Sequence, residues 1–254
     1  MTEQRYRITL AYDGTAYAGW QVQPRHTTVQ GELERVLREL SGQPTRVESS
    51  GRTDSGVHAR EQVAHFDFPS NRFEPAALQR GMNALLEADI RVLNVRKVAR
   101  SFHARFSAKG KEYRYFIHND GVLSPFHRHY RTWIKEPLDV PAMCQAAQSL
   151  EGYHDFAAFA ANPNREVDGT SRNVYRLTVT KRGPEIVMRV VGDGFLYKMV
   201  RSMAGFLIRI GRGEVGPETA STILASQIRT ARVPTAPPEG LFLWRVYYRR
   251  PPAS

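Results

Sequence analysis

The chain has 254 residues, of which 41% are hydrophobic and 24% charged, the balance of a globular protein large enough to bury about 70–75% of its unfolded surface. Cys144 is the only cysteine, which excludes an intramolecular disulfide and a cysteine zinc cage. No apolar run is long enough to span a bilayer, and the opening MTEQRYRITL has no apolar signal-peptide stretch, so the expectation is a cytoplasmic protein without membrane contact. Lys plus Arg (36) exceed Asp plus Glu (25), a net charge of +11 that favours polyanions: nucleic acid first, then an acidic membrane face or an acidic protein.

Alternation of Tyr6, Ile8, Leu10 and Tyr12 with Arg7, Thr9 and Ala11 predicts a strand, ended by the turn Asp13-Gly14. Thr27 and Gln30 have capping-box spacing before a helix whose apolar face is Val29, Leu33, Val36, Leu37 and Leu40. A short strand is expected near 46–49 and another over 63–68, with Ala64, Phe66 and Phe68 on one face. Pro75 suits the first turn of a second helix carrying Leu78, Met82 and Leu85. A strand near 90–98 completes a β-α-β-β-α-β, or split-βαβ, order.

The second half repeats it: a strand over 112–118, a helix over 140–150, strands near 173–180 and 185–191 around the turn KRGP, and a long helix over 195–210. The stripe of that helix is Leu196, Val200, Met203, Leu207 and Ile210. A shorter helix follows Pro217, and a strand closes over 240–248. Segments 119–138 and 152–171 are expected to be irregular insertions. The predicted class is α+β. Two ferredoxin-like or RRM-like halves, 1–105 with the catalytic loop and 106–254, would share an extended, mainly antiparallel sheet with a central cleft.

Between residues 96 and 114 seven Lys or Arg face one Glu, with Phe102, Phe106 and Tyr113 interleaved. Cations for phosphates and rings for unstacked bases suit single-stranded or loop RNA. A solvated linker with some rings in the core is the plainer reading. Arg201 sits one position after Val200, at the edge of its helix's apolar stripe.

The stretch GRTDSGVH, 51–58, holds the candidate reactive group, Asp54. A Gly-flanked Asp commonly builds a turn. Asp54-Ser55-Gly56 matches an aspartic-protease triplet, but no second copy exists in the chain, and Arg52 beside Asp54 opposes the shared proton such a dyad needs. Asp54, His58, His65 and Asp67 lack a recognisable metal-ligand framework, so no metal is expected. A fourth reading, open beside the turn, is a carboxylate nucleophile, kept charged by Arg52 and approached across glycines.

GRTDSGVHA (51–59) resembles the signature of the tRNA pseudouridine synthases of the A type. YDGTAYAGWQ (12–21), TVQGELERVL (28–37), SFHARFSAKGKEYRY (101–115), GDGFLYKMVR (192–201) and TAPPEGLFL (235–243) resemble further blocks of that family, in its order. Ser55 stands where Ala is usual. The resemblance implies a cofactor-free homodimer that isomerises uridine to pseudouridine at positions 38, 39 and 40 of the tRNA anticodon arm. Asp54 would attack either uracil C6 or ribose C1′ of an extruded uridine. Arg52 would help extrude the base and contact Asp54. Tyr113 would stack on the uracil and assist proton removal at C5, Arg201 would pair with the catalytic Asp, and Leu241 would pack under the base. The rival from another class is a non-catalytic RNA-binding protein of the same fold.

Overall fold

The computed structural model describes residues 3–69, 73–161 and 169–252. The chain divides into two compact units, Met1–Lys109 with Phe242–Arg249, and Gly110–Leu241 with Arg250–Ser254.

In the first unit, β1 (Glu3–Tyr12) lies between β4 (Ile90–Lys97) and β3 (His58–Pro69), antiparallel to both. β2 (Glu48–Ser49) pairs antiparallel with β3, opposite Ala64 and His65. The order β4-β1-β3-β2 is the one the split-βαβ pattern dictates. The opposite end of β3 receives β10 (Leu241–Tyr247), parallel, with Phe242 opposite His58 and Leu243 opposite Ala59. Tyr6, Ile8, Leu10 and Tyr12 are all buried. The two-residue side-chain period puts them on one face of β1.

Helix α1 (Val29–Ser41) buries Val29, Leu33, Val36 and Leu37. Its N-cap is Thr28, one residue later than the spacing predicts: the Thr28 hydroxyl accepts the Gly31 N–H. Gln30 instead fixes the approach to the helix. Its Oε1 accepts the Val22 N–H, and its Nε2 donates to the Val47 carbonyl. Gly42 closes the helix at φ 78° with its N–H on the Arg38 carbonyl. Pro75 opens α2 (Pro75–Leu85), which buries Leu78 and Met82.

In the second unit β5 (Gly110–Asn119) pairs antiparallel with β9 (Glu185–Gly192), β9 with β8 (Ser171–Arg182), and β8 with β7 (Gly152–Asp155). The expected irregular segments thus hold structure. One contains β6 (Thr132–Ile134), parallel to β5; the other contains β7 and a 3-10 turn at Ala157–Phe159. Three- and four-residue strands are too short to display a period in sequence.

α3 (Val140–Ser149) is capped by Asp139, whose carboxylate accepts the Ala142 N–H, and α5 (Thr219–Ser226) follows Pro217. Between them α4 (Met199–Gly211) is buried at every position except Arg201 and Arg209. It begins four residues later than its stripe predicts. Lys198 adopts φ 60°, and a left-handed lysine cannot continue a right-handed helix. Leu196 is nevertheless buried from the preceding turn, which is why the period overran the helix.

His65, on β3, is 2% exposed and accepts the Ala104 N–H at Nδ1. Burial, then the neighbouring His103 and Arg5, hold its pKa below the ordinary imidazole value. Below about pH 6.5 the unfolded chain binds a proton that the folded chain resists, so His65 stabilises the fold above that pH and the contribution is lost on acidification. Thermal denaturation between pH 7.5 and 5.5 is therefore expected to show a steeper fall for the parent than for His65→Gln, whose amide oxygen can still accept the Ala104 N–H. Parallel pH profiles would remove His65 as the source.

Candidate active site

Asp54 is half-buried on the loop between β2 and β3, and Arg52, two residues before it, is exposed. Both flanks of the loop are fixed from the interior. On one side, buried Ser50 donates from its hydroxyl to Gln62 Oε1 at 2.7 Å, and Gln62 Nε2 donates to the Gly51 carbonyl at 2.9 Å. On the other, Val57 and His58 are buried, and the Gly14 N–H donates to His58 Nδ1 at 3.0 Å. The His58 ring stacks on Phe242 with centroids 4.5 Å apart.

The centre of the loop is held by residues 12–20. Tyr12 Oη and Thr53 Oγ1 lie 2.8 Å apart in the core, and burial pushes the Tyr12 phenol up to about 12. That phenol stays neutral at working pH and holds Thr53 as a hydrogen-bonding group without charge. The Trp20 N–H donates to the Thr53 carbonyl at 3.0 Å. The Tyr17 carbonyl accepts the Gly56 N–H and the Ser55 hydroxyl. The hydroxyl where the family usually has alanine therefore adds a tether to the loop.

Gly19 is required by two independent constraints. Its φ is +94°, and a Cβ would fall 2.6 Å from the Thr53 carbonyl oxygen and 3.0 Å from Asp54 C and Ser55 N. Gly14 is similarly constrained, with a Cβ position 2.1 Å from the Val57 oxygen. Asp54 is thus presented by a backbone locked from both sides. The Val57 N–H closes the turn on the Asp54 carbonyl at 3.2 Å.

The other expected site residues lie in the second unit. Tyr113 and Tyr115 are two apart on β5 and share its buried face. The Tyr113 ring meets Phe195 edge to face at 5.2 Å. Tyr115 Oη contacts Thr132 Oγ1 at 2.5 Å and donates to the Pro237 carbonyl at 2.9 Å. Arg201, in the first turn of α4, donates from Nε to the Ala236 carbonyl at 2.8 Å, while the Ala236 N–H returns to the Arg201 carbonyl at 3.0 Å. Leu241 is 5% exposed, and its N–H donates to the Pro238 carbonyl.

The loop leading to Leu241 is bound to α4 at two further points. A Cβ on Gly205 would lie 2.3 Å from the Pro234 oxygen. The partly buried Arg229 donates to Ser202 Oγ at 2.8 Å and Thr235 Oγ1 at 2.9 Å. Arg201 and Ser202 precede Gly205 by four and three residues, so each neighbours it on the helix surface. Tyr113, Arg201 and Leu241 stand out in this unit from the sequence, but Arg229, Ser202 and Tyr115, which hold the loop between them, do not. The two-residue spacing of Tyr113 and Tyr115, which puts both rings on one face of a strand, is a signal in the sequence that could have pointed to Tyr115.

The cations of the basic stretch 96–114 differ in their surroundings. Lys97 pairs with Glu74, and Arg114 with buried Glu112. Arg96, Arg100, Arg105 and Lys109 are exposed. Glu48, His65 and His103 each bring one ligand-type atom within 4.8 Å of the others. However, Nδ1 of His65 accepts the Ala104 N–H, and Nδ1 of His103 accepts those of Arg105 and Phe106. Both hydrogens are thereby assigned to Nε2, and neither ring keeps a lone pair for a cation.

One α+β unit presents a carboxylate on a glycine-locked loop, and the other an arginine clamped to an ordered loop. Known proteins share this chain's sequence across both units. The tRNA pseudouridine synthase family profile matches residues 8–107 and 146–249. The "tRNA pseudouridine synthase A" of Geobacillus kaustophilus is 46% identical over 246 residues, covering 96% of this chain and 95% of its own. That of Moorella thermoacetica is 47% identical over 250 residues, covering 95% and 98%. A solved chain described as the archaeal box H/ACA sRNP Nop10-Cbf5 complex aligns with 80% of this chain and 43% of its own, at 14% identity and a TM-score of 0.35, too loose a likeness to carry weight. The chain belongs to the tRNA pseudouridine synthase family.

Gly19→Ala should destabilise the fold by about 1–3 kcal/mol more than Gly42→Ala. Gly42 is also left-handed, at φ +78°, but nothing lies within 4 Å of its Cβ position, so only backbone strain is added there. Urea denaturation of both variants measures the difference, and equal losses would mean that the approach of Gly19 to the Asp54 loop is relieved without cost.

Proposed function

We propose that this protein isomerises uridine to pseudouridine in tRNA, at positions 38, 39 and 40 of the anticodon arm, with Asp54 as the nucleophile. The observation that carries this reading is Asp54 itself: a half-buried carboxylate on a loop fixed by Tyr12, Trp20 and Gly19, inside a chain whose two halves both match the tRNA pseudouridine synthase profile. A structural Asp has no need of a loop held this rigidly from outside its own turn. A nucleophile does, since reacting atoms must be positioned to within a fraction of an ångström.

The chemistry is balanced within the substrate. The C1′–N1 bond breaks, the uracil turns, C1′ joins C5, the C5 hydrogen leaves as a proton, and N1 takes one up. Product and substrate are isomers, so no net electron or group donor is needed. Asp54 attacks ribose C1′ or uracil C6 and is released when the new bond is complete. The target base must leave its stack first. On this reading Arg52, exposed two residues away, serves that extrusion and contacts Asp54 once the substrate is bound.

On this reading Tyr113 stacks on the uracil and assists loss of the C5 proton, Arg201 pairs with the catalytic carboxylate, and Leu241 packs beneath the base. The clamp of Arg201 onto Ala236 supports a positioned guanidinium, because Nε is already engaged and the rest of the fork is oriented by it. The protein works in the cytoplasm as a homodimer. No helix among the described residues is long and apolar enough to cross a membrane, and the net charge of +11 suits a polyanionic substrate.

Asp54→Asn keeps the size of the side chain and removes its nucleophilic charge. It is expected to abolish pseudouridine formation in unmodified tRNA while leaving the tRNA dissociation constant within about threefold, a difference below 1 kcal/mol. Pseudouridine mapping and filter binding with the same tRNA check the two halves of this outcome. Normal turnover by the variant would refute the assignment. Tight binding by the parent without any modification would instead favour the non-catalytic RNA-binding reading.

A further inference from the structure

Phe106 is 73% exposed. A single exposed ring is common on protein surfaces and needs no explanation by itself. This one differs in how it is held. The His103 ring backs it, with centroids 4.4 Å apart and planes inclined by 37°, and His103 in turn lies 4.6 Å from the ring of buried His65. The three rings form a column that runs from the core to the solvent.

The turn carrying the column is hydrogen-bonded along its length. His103 Nδ1 accepts the Arg105 and Phe106 N–H groups at 3.1 and 3.3 Å. The Ser107 N–H returns to the His103 carbonyl at 2.9 Å, and Ser107 Oγ accepts the His103 N–H at 3.0 Å. The base of the turn is anchored by Tyr248 Oη on the Ala104 carbonyl, and by Arg5 on the carbonyls of Arg100 and Phe102. Phe106 is therefore presented by an ordered backbone, and little conformational freedom remains to be lost when something covers it.

The charge around the ring selects the occupant. The Arg105 guanidinium lies 5.6 Å from the Phe106 centroid, and Arg100, Arg105 and Lys109 are exposed on the same stretch. The acidic neighbour Glu48 is held by His103, whose Nε2 hydrogen points to Glu48 Oε2 at 3.2 Å. An exposed ring beside cations, with the nearby carboxylate occupied, matches the pattern that captures a base by stacking and its phosphate by charge.

We propose that Phe106, backed by His103 and flanked by Arg105, is a stacking platform for an unpaired base of the tRNA other than the uridine that Asp54 attacks. The inference rests on the reading of the substrate as tRNA. It places in the RNA interface a residue to which the reaction itself gives no part. Phe102, in the same basic stretch, is instead half-buried. Its ring packs on Tyr248 at 5.2 Å and under Arg7, inside the first unit.

Binding of a fluorescently labelled, unmodified tRNA transcript to the full-length protein tests the platform. Phe106→Ala is expected to weaken binding about 5- to 150-fold, the range seen when one stacking ring is removed. Phe106→Trp should bind within about threefold of the parent, and Phe106→Leu, apolar but without a π face, should resemble alanine. The log–log salt slope should be the same for parent and Phe106→Ala, since no cation is lost, whereas Arg105→Gln should flatten it by about 0.7. Unchanged melting temperatures would confirm that the exposed ring is not needed for folding.

Affinity of Phe106→Ala equal to the parent overturns the platform, as does full rescue by leucine. A changed sedimentation mass of the RNA-free Phe106→Ala protein also overturns it, because the ring would then be a contact between copies. If the parent itself neither binds nor modifies the transcript, the functional reading fails with it; a working parent beside an unaffected Phe106→Ala removes the platform alone.

Discussion

The close approach of the Gly19 backbone to residues 53–55 is the constraint on which the candidate site depends. Three backbone atoms of the Asp54 loop lie within 3.0 Å of where a Cβ of residue 19 would stand, so two chain segments meet at backbone distance. From that contact the rest follows. The Trp20 N–H can reach the Thr53 carbonyl, and Tyr12 can reach the Thr53 hydroxyl. The loop then has no room to relax, and the carboxylate of Asp54 is carried by the sheet that Tyr12 ends and His58 begins. A charged group on a mobile loop loses orientation to entropy; one on a loop tied from both flanks has lost that freedom during folding.

The second unit solves the same problem with other means. Its loop 233–241 has three prolines and one glycine over nine residues, which limits the unfolded chain more than an ordinary loop would. Its carbonyls are then used as acceptors: Ala236 for Arg201, Pro237 for Tyr115, Pro238 for the Leu241 N–H. Burial lowers the pKa of Arg229 relative to ordinary arginine, but arginine starts so high that it remains a cation. It can therefore bind both α4 and the loop at any working pH. The arginine of the family motif and the leucine that follows the loop are fixed by one shared network.

The strands and helices are legible in the sequence where a period can repeat. Alternation in β1, and the stripes of α1, α2 and α4, are visible because burial selects the same face several times in succession. The pattern fails where a single tertiary choice decides. Thr28 rather than Thr27 caps α1 because Gln30 turns back to Val22 and Val47. β6 and β7 are too short to show a pattern, and the start of α4 depends on the left-handed conformation of Lys198. At the candidate site, the motif blocks locate Asp54 and Arg201 by resemblance, not by period. The contact of Gly19 with the loop joins residues far apart along the chain, which no local pattern records. Phe102 and Phe106 look equivalent in the basic stretch, yet one ring is half-buried against Tyr248 and the other faces solvent.

On the proposed function, a carboxylate at position 54 makes the glycosidic carbon change partners from N1 to C5. That exchange must expel the hydrogen at C5, which binding of the RNA alone does not do. With tRNA carrying tritium at C5 of its uridines, single-turnover reaction should release tritium to water from the parent protein in step with pseudouridine formation, and none above background from Asp54→Ala. Tritium release by Asp54→Ala at the parent's rate would contradict the account, because the bond exchange would then proceed without the carboxylate.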